Sequence, residues 1–223
     1  IWKRSKCMSW QDKINTVWQG DCLKLMKEMP DKCVDLVLTD PPYGIGEAAG
    51  KNKSRCKLAV SKDYGNASWD NQIPSKEIFE HMIRISKNQI IFGGNYFVEY
   101  LKNSPCWIVW DKDNGKSDFA DCELAWTSFP SAVRKFKWKW QGMLQENMKA
   151  KEFRVHPTQK PVPLMKWILQ NYSKQTDVIF DPFMGSWTTA VVCKQLNRNF
   201  IGAELSKEYC EIGKERLRQE ILL

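Results

Sequence analysis

Asp177-Val178-Ile179-Phe180-Asp181-Pro182-Phe183-Met184-Gly185-Ser186 decides the fold. A short apolar run, Val178-Ile179-Phe180, reads as a buried strand of a parallel sheet, because such strands are covered on both faces and need no polar alternation. The Pro182–Ser186 stretch then turns the chain, with Gly185 as the residue that tolerates positive φ and close backbone approach. Thr188-Thr189-Ala190-Val191-Val192-Cys193-Lys194-Gln195-Leu196 has helical spacing, and Phe200-Ile201-Gly202-Ala203-Glu204 is a second strand ending in an acid. Strand, glycine turn, helix, strand and terminal acid form the nucleotide-binding half of a doubly wound sheet. Gly185 and Glu204 are 19 residues apart, close to the ~20 that place such an acid on ribose hydroxyls.

Val34-Asp35-Leu36-Val37-Leu38-Thr39 is another apolar strand, stopped by Asp40-Pro41-Pro42-Tyr43. Neither proline can donate a backbone hydrogen bond and each fixes its own φ, so the loop is stiff. It holds one carboxylate, unpaired carbonyls and one aromatic ring. Asp40 and the Pro41 carbonyl can each accept a hydrogen bond from an exocyclic amine, and Tyr43 can stack on a planar base. A plain strand-to-loop turn is the other reading of these four residues taken alone.

Together the two segments resemble the S-adenosylmethionine-dependent DNA amino-methyltransferases. Thr39-Asp40-Pro41-Pro42-Tyr43-Gly44-Ile45-Gly46 matches the family's catalytic motif, and Asp181-Pro182-Phe183-Met184-Gly185-Ser186-Trp187-Thr188-Thr189 its cofactor motif at every position but one. His156-Pro157-Thr158-Gln159-Lys160-Pro161 matches the motif ahead of the helix beside the cofactor, and Gly20-Asp21-Cys22 the segment at its adenine end. Catalytic motif first and cofactor motif last is the permuted order of the family's β group. The resemblance implies a Rossmann-like α/β fold: a doubly wound, mostly parallel seven-stranded sheet with one antiparallel hairpin strand. It implies S-adenosylmethionine as cofactor, DNA as partner and the exocyclic amine of adenine as target, since Asp heads the catalytic motif; serine is commoner in cytosine-N4 enzymes, the alternative target. The catalytic set is then Asp40, Pro41, Pro42 and Tyr43. The cofactor set is Asp21, Cys22, Thr158, Lys160, Asp181, Phe183, Met184, Gly185, Ser186 and Glu204, with Lys160 a candidate partner for a carboxylate and His156 structural. Transfer would be a direct displacement on a base flipped out of the duplex.

Trp187 departs from the pattern, which has glycine there. An indole either fills the methionine end of the cofactor pocket or points outward and distorts the loop. Either placement puts activity in question, so a DNA-binding pseudoenzyme is a second reading. RNA or protein amines are a third substrate class.

The 223 residues fit one α/β domain. The net charge of +8 favours a polyanionic partner. No stretch reaches the ~20 apolar residues of a membrane span, and neither a leader nor a membrane partner is expected; Ile1 in place of Met suggests a trimmed start. An intracellular, bacterial or phage setting is the expectation, with a homodimer and a restriction endonuclease partner left open. The eight cysteines lack metal-ligand spacing, so they read as reduced thiols, several of them in the core, with no metal site. A polar, lysine-rich stretch at 47–72 reads as a loop insert, either a lid or DNA-contacting loop or a surface insert. Strands are expected at Ile14–Gln19, Gln89–Phe92, Cys106–Trp110 and Glu123–Phe129, and helices at Cys22–Met29, Ser75–Ser86, Tyr96–Leu101, Pro161–Tyr172 and Lys207–Leu217. Val133–Trp140 alternates Lys135, Lys137, Lys139 with Phe136, Trp138, Trp140, the pattern of an antiparallel strand with its aromatics in the core and its lysines toward water or phosphates. Residues 141–155 are a short candidate target-recognition segment.

Overall fold

The computed structural model describes residues 9–45, 72–115, 120–141 and 144–219. The insert expected at 47–72 lies, apart from its last residue, outside them. Strands β1 (Thr16–Gln19), β2 (Val34–Thr39), β3 (Ser86–Phe92), β4 (Trp107–Asp111), β5 (Cys122–Thr127), β6 (Arg134–Lys137), β9 (Val178–Asp181) and β10 (Asn199–Glu204) form one sheet, and β7 (Trp140–Gln141) with β8 (Leu144–Gln145) a small hairpin. The sheet order is β1-β10-β9-β2-β3-β5-β4-β6. Only β5 runs antiparallel, to β3 on one side and β4 on the other. The sheet has eight strands rather than seven, because β6 adds at the edge.

Helices α1 (Cys22–Glu28) and α2 (Lys76–Ile85) bring Leu25, Met26, Phe79 and Met82 against Val37, Ile91 and Phe180 on one face. Helices α3 (Val162–Tyr172) and α4 (Thr188–Gln195) set Leu164, Ile168, Ala190 and Val192 against Leu36, Leu38, Ile90 and Ile179 on the other. The final helix, α5 (Lys207–Gln219), joins that second layer through Cys210. Strand alternation explains the division: Leu36 and Leu38 face α3, while Val37 faces α1 and α2. Cys22, Cys106, Cys193 and Cys210 are buried core thiols, in line with the cysteine reading.

Two expectations change. The helix expected at Tyr96–Leu101 is instead a single 3-10 turn, Gly94–Tyr96, entered through Gly93 at φ 66°. Beyond it the Lys102 carbonyl accepts from the Trp126 indole at 2.8 Å, a tertiary bond that holds the segment out of helical form. Next, β6 pairs parallel with β4, not antiparallel, and is only four residues long. The lysines of the alternating stretch stay 38–65% exposed and pair at the surface with acids after β4 and at its end. Lys135 reaches Asp111 (3.4 Å), and Lys137 and Lys139 both reach Asp113 (3.0 and 3.3 Å). Phe136 and Trp138 pack against the core and Trp140 is buried, as the alternation suggested.

Strands β9 and β2 are neighbours, yet β9 connects onward to β10 on one side and β2 to β3 on the other. That reversal opens a crevice at the carboxyl ends of the strands, where doubly wound sheets place their ligands.

Candidate active site

The loop after β9 is held from below. Asp181 is buried, and its Oδ1 accepts from Thr39 Oγ1 (2.8 Å) and the Phe183 N–H (3.0 Å), while Oδ2 accepts from Thr189 Oγ1 (2.6 Å). Burial pushes its carboxyl up to about 6 against those three donors. Asp181 thus ties β2, the loop and α4 together. At the end of β10, Glu204 Oε2 accepts from the Gly185 N–H (2.7 Å) and Oε1 from the Ser206 N–H (2.8 Å). Burial raises this carboxyl as well, against those N–H donors. Gly185 takes φ 48°, and a Cβ there would meet only the His156 ring, at 3.5 Å. Met184 folds over Gly202, where a Cβ would lie 2.5 Å from its side chain. Phe183 is half-buried beside the other core layer.

Asp21 caps α1 through the Leu23 N–H (2.9 Å), and the Gly20 N–H donates to the Glu204 carbonyl (2.9 Å). The segment expected at the adenine end therefore does adjoin the acid of β10. Cys22 is buried and its thiol pushed up to about 12 by that burial, which makes it a packing residue, not a nucleophile.

Trp187 adopts the left-handed backbone of the glycine it replaces, φ 63° and ψ 26°, and still donates its N–H to the Met184 carbonyl at 2.8 Å. Its side chain is buried against α5, seated over Gly213, where a Cβ would come within 2.2 Å of the indole. The glycine at 213 makes the room. The indole therefore lies in the helix layer, and the Gly185 N–H keeps its bond to Glu204. Arg216, also on α5, donates to the Ser186 carbonyl (2.8 Å) and Thr188 Oγ1 (2.9 Å), pinning the loop from outside.

The catalytic loop follows β2. Asp40 extends the Leu36–Leu38 alternation toward the α3 side, where Lys160 arrives just ahead of α3. Lys160 Nζ donates to Asp40 Oδ2 and also lies 3.1 Å from Glu123 Oε2. Lys112 pairs with Glu123 Oε1. The Tyr43 hydroxyl donates to Asp40 Oδ1 at 2.5 Å. Two carboxylates and two amines thus form a chain with balanced charge, in which Lys160 is buried and the Asp40, Glu123 and Lys112 side chains are only 18%, 21% and 16% exposed. Burial pushes Glu123 upward, but the Lys160 and Lys112 charges outweigh it and hold its carboxyl at about 2. Asp40 shares only one lysine; burial, with the Glu123 charge, leaves its carboxyl raised. Asp40 is the more basic of the two acids. Burial and the adjacent Asp40 charge hold Tyr43 well above the ordinary phenol range, so its hydroxyl keeps the proton it donates.

The Tyr43 ring stacks on Tyr96 with centroids 4.9 Å apart and planes at 14°. It lies over Gly93, where a Cβ would be 2.1 Å from a ring carbon. One face of the ring expected to stack on a base is thus covered by Tyr96, which no sequence motif singled out. Lys160, read from sequence as a cofactor-side residue and a candidate partner for a carboxylate, meets the carboxylate of Asp40. Thr158 meets the His156 ring through its N–H (3.3 Å) and hydroxyl (3.1 Å). Burial, with the positive Lys160, lowers His156 to about 3, so the imidazole is neutral. Glu123 and Lys112 were missed from sequence; the available signal was a glutamate set into the otherwise uncharged strand Cys122-Glu123-Leu124-Ala125-Trp126-Thr127.

Fold and site together are those of a doubly wound α/β protein with two motif loops meeting at one crevice. Residues 130–215 match the family model described as DNA methylase, N6_N4 type. The chain is 28% identical over 93% of its length to Type II methyltransferase M.HinfI of Haemophilus influenzae, spanning 69% of that protein. It is 29% identical over 90% of its length to Type II methyltransferase M.HpaI of Haemophilus parainfluenzae, spanning 73% of it. The crystal structure of the M1.HpyAVI–SAM complex superposes with a TM-score of 0.57 at 27% identity, covering 90% of this chain and 98% of that one. The chain is thus similar to a DNA methylase family model over residues 130–215 and to Type II DNA methyltransferases over at least 90% of its length.

Proposed function

We propose that this protein transfers a methyl group from S-adenosylmethionine to the N6 amine of adenine in DNA. The observation that carries the reading is Asp40, held on the Pro-Pro loop at the carboxyl end of β2, next to the loop that Glu204 and Asp181 organise. The residues present fit the cofactor by their chemistry. Glu204 and Asp21 are adjacent acceptors at the end of β10 and the start of α1, and Gly185 supplies the positive φ that turns its N–H onto Glu204. When bound, S-adenosylmethionine supplies an electrophilic methyl group on a sulfonium.

The residues of this chain do the rest. Each oxygen of Asp40 has one protein donor and retains a second lone pair for an amine N–H. The Pro41 carbonyl is a further acceptor on the same stiff loop. Two acceptors on one amine draw its lone pair out of conjugation with the ring, which makes the nitrogen a better nucleophile. Methylation leaves an extra proton on that nitrogen, and Asp40 is the acid whose burial suits it to take the proton at Oδ1 or Oδ2. An adenine inside a duplex cannot reach this loop, so the base is flipped, and the Tyr43–Tyr96 pair is the aromatic surface it meets. Asp at the head of the catalytic motif is what favours adenine over cytosine. The seating of Trp187 over Gly213 supports an active enzyme over a pseudoenzyme.

The reading is tested by transfer of a labelled methyl group to unmodified DNA by the parent and by Asp40→Ala. Label transfer by the parent and not by the variant is expected. A variant within a few-fold of the parent would remove Asp40 from the chemistry.

A further inference from the structure

The ion chain that ends on Asp40 does not stop at the catalytic motif. It continues through Lys160 to Glu123 and on to Lys112, residues on the β4–β5 pair far along the chain from Asp40. In that pair Trp110 lies opposite Glu123, and Lys112 is two residues beyond Trp110, so its side chain falls on the same face as Glu123. The Lys112 N–H bonds the Asp121 carbonyl at 2.9 Å, which continues the pairing past the strand end. Glu123 is therefore held from one side by Lys112 and faces Lys160 on the other. The rest of the wall is aromatic: Lys160 Nζ lies 5.1 Å from the Phe92 ring centroid and 5.8 Å from that of Tyr43, and Lys112 lies 4.9 Å from the Trp110 centroid.

An acid at this point is not needed to close the fold. A buried ion pair is a poor source of stability compared with apolar residues of the same volume. What a second carboxylate on Lys160 does accomplish is division of that cation between two anions. With Lys160 committed to Asp40 alone, the Asp40 carboxylate would be more fully neutralised and a weaker acceptor for an amine proton. With Glu123 drawing on the same ammonium, Asp40 stays more basic. Lys112 works in the opposite sense: by engaging Glu123 it limits how strongly Glu123 pulls on Lys160.

We propose that Glu123 is a positioning residue for methyl transfer, sharing Lys160 with Asp40 and so setting how strongly Asp40 accepts the amine proton, with Lys112 as the counterweight. The proposal rests on the methyl-transfer reading above and adds to it two residues outside the matched motifs. The groups facing Asp40 are Lys160, Tyr43, Asp181 and, through Lys160, Glu123; those facing Glu123 are Lys112, Lys160 and Tyr43, and His156 lies within reach of the Lys160 charge.

The test uses the full chain with Glu123→Gln and Lys112→Met. The first readout needs no turnover. Protein labelled with 13C at aspartate carboxyls is titrated by NMR, the Asp40 signal being assigned by its loss in Asp40→Asn. Glu123→Gln should move the Asp40 midpoint to lower pH and Lys112→Met should move it to higher pH. The second readout is kinetic. Glu123→Gln should lower kcat about tenfold or more, shift the acid limb of the kcat profile to lower pH, and leave KM for DNA and S-adenosylmethionine affinity within about threefold. Asp40 midpoints that coincide in the three proteins would overturn the proposal, as would loss of kcat in strict proportion to loss of folded protein or cofactor binding. Variants that shift as described in the titration, with a parent that transfers no methyl group, would sink the methyl-transfer reading and leave the shared-lysine arrangement standing.

Discussion

Replacing Trp187 with glycine restores the residue that the cofactor motif calls for, and the structure predicts that this does not improve the enzyme. The indole is buried against α5, so removing it deletes one of the larger side chains of that layer. Truncation of a buried Phe or Trp costs about 3–5 kcal/mol. Two gains offset part of this. Glycine relieves the left-handed backbone at φ 63°, worth about 1–2 kcal/mol. The indole Nε1, buried with no partner among the described residues, disappears as well, and such a group costs about 1–3 kcal/mol. With both gains at the low end of their ranges the net is a loss of about 1–3 kcal/mol, and at about 2–4 °C per kcal/mol for a chain of this size a Tm lower by about 2–12 °C. Calorimetric affinity for S-adenosylmethionine should stay within about threefold, since the loop's bonds to Glu204 do not involve the indole. A companion variant sharpens the test. Gly213→Ala places a Cβ 2.2 Å from the indole and should cost about 1–3 kcal/mol by overpacking in the parent. In Trp187→Gly the same change should be neutral or stabilising by up to about 1 kcal/mol, the helix preference for alanine. The reasoning is refuted if Trp187→Gly binds the cofactor tenfold tighter, about 1.4 kcal/mol, with Tm unchanged or raised, or if Gly213→Ala costs the same in both backgrounds.

Lys160→Met leaves Asp40 and Glu123 without their shared cation; breaking a buried pair this way costs about 3–5 kcal/mol, so chemical denaturation should show a loss of that order and methyl transfer should fall with the folded protein held saturating. His156 is neutral in the fold, its imidazole lowered to about 3 from the ordinary 6.5, so the unfolded chain binds the extra proton first and this stabilisation is complete above pH 6.5 and lost as pH falls toward 3. The stability difference between parent and His156→Gln should therefore shrink by about 1.4 kcal/mol per pH unit below pH 6.5, and a difference independent of pH would contradict the assignment; Asp181, raised to about 6, contributes in the opposite sense to both proteins and cancels. Lys137 is paired with Asp113, so Lys137→Ala should weaken DNA binding by less than about threefold at moderate salt while Asp113→Asn tightens it; a steep loss with Lys137→Ala would show that the strip contacts phosphate after all.

The parts of the molecule that were legible in the sequence are those encoded locally. The strand Val34–Thr39 is bounded by the Asp-Pro-Pro turn and appears with those ends. The β9–α4–β10 unit follows its strand, turn, helix and strand pattern, and Glu204 does reach Gly185. What the sequence withheld depends on which elements become neighbours. Alternation in Val133–Trp140 identified the aromatic face, but period two carries no information on the direction of the partner strand, and β6 turned out parallel to β4. The lysines of that strand could not be matched to Asp111 and Asp113 without that register. Trp187 looked like an obstruction because its own motif has no space for it; the space is supplied by Gly213 on a different helix. Glu123, with Lys112 on its other oxygen, meets Lys160 only because β5 is antiparallel and brings its start to the edge where β2 and β3 end.

The central claim is that Asp40 and the elements around it methylate the N6 amine of adenine. The direct measurement is to incubate unmodified DNA with the parent protein and S-adenosylmethionine, digest to nucleosides and quantify methylated species by mass spectrometry. The account predicts N6-methyldeoxyadenosine, absent when Asp40→Ala replaces the parent. N4-methyldeoxycytidine in its place would contradict the choice of base, and no methylated nucleoside from a folded, cofactor-binding protein would contradict the account as a whole.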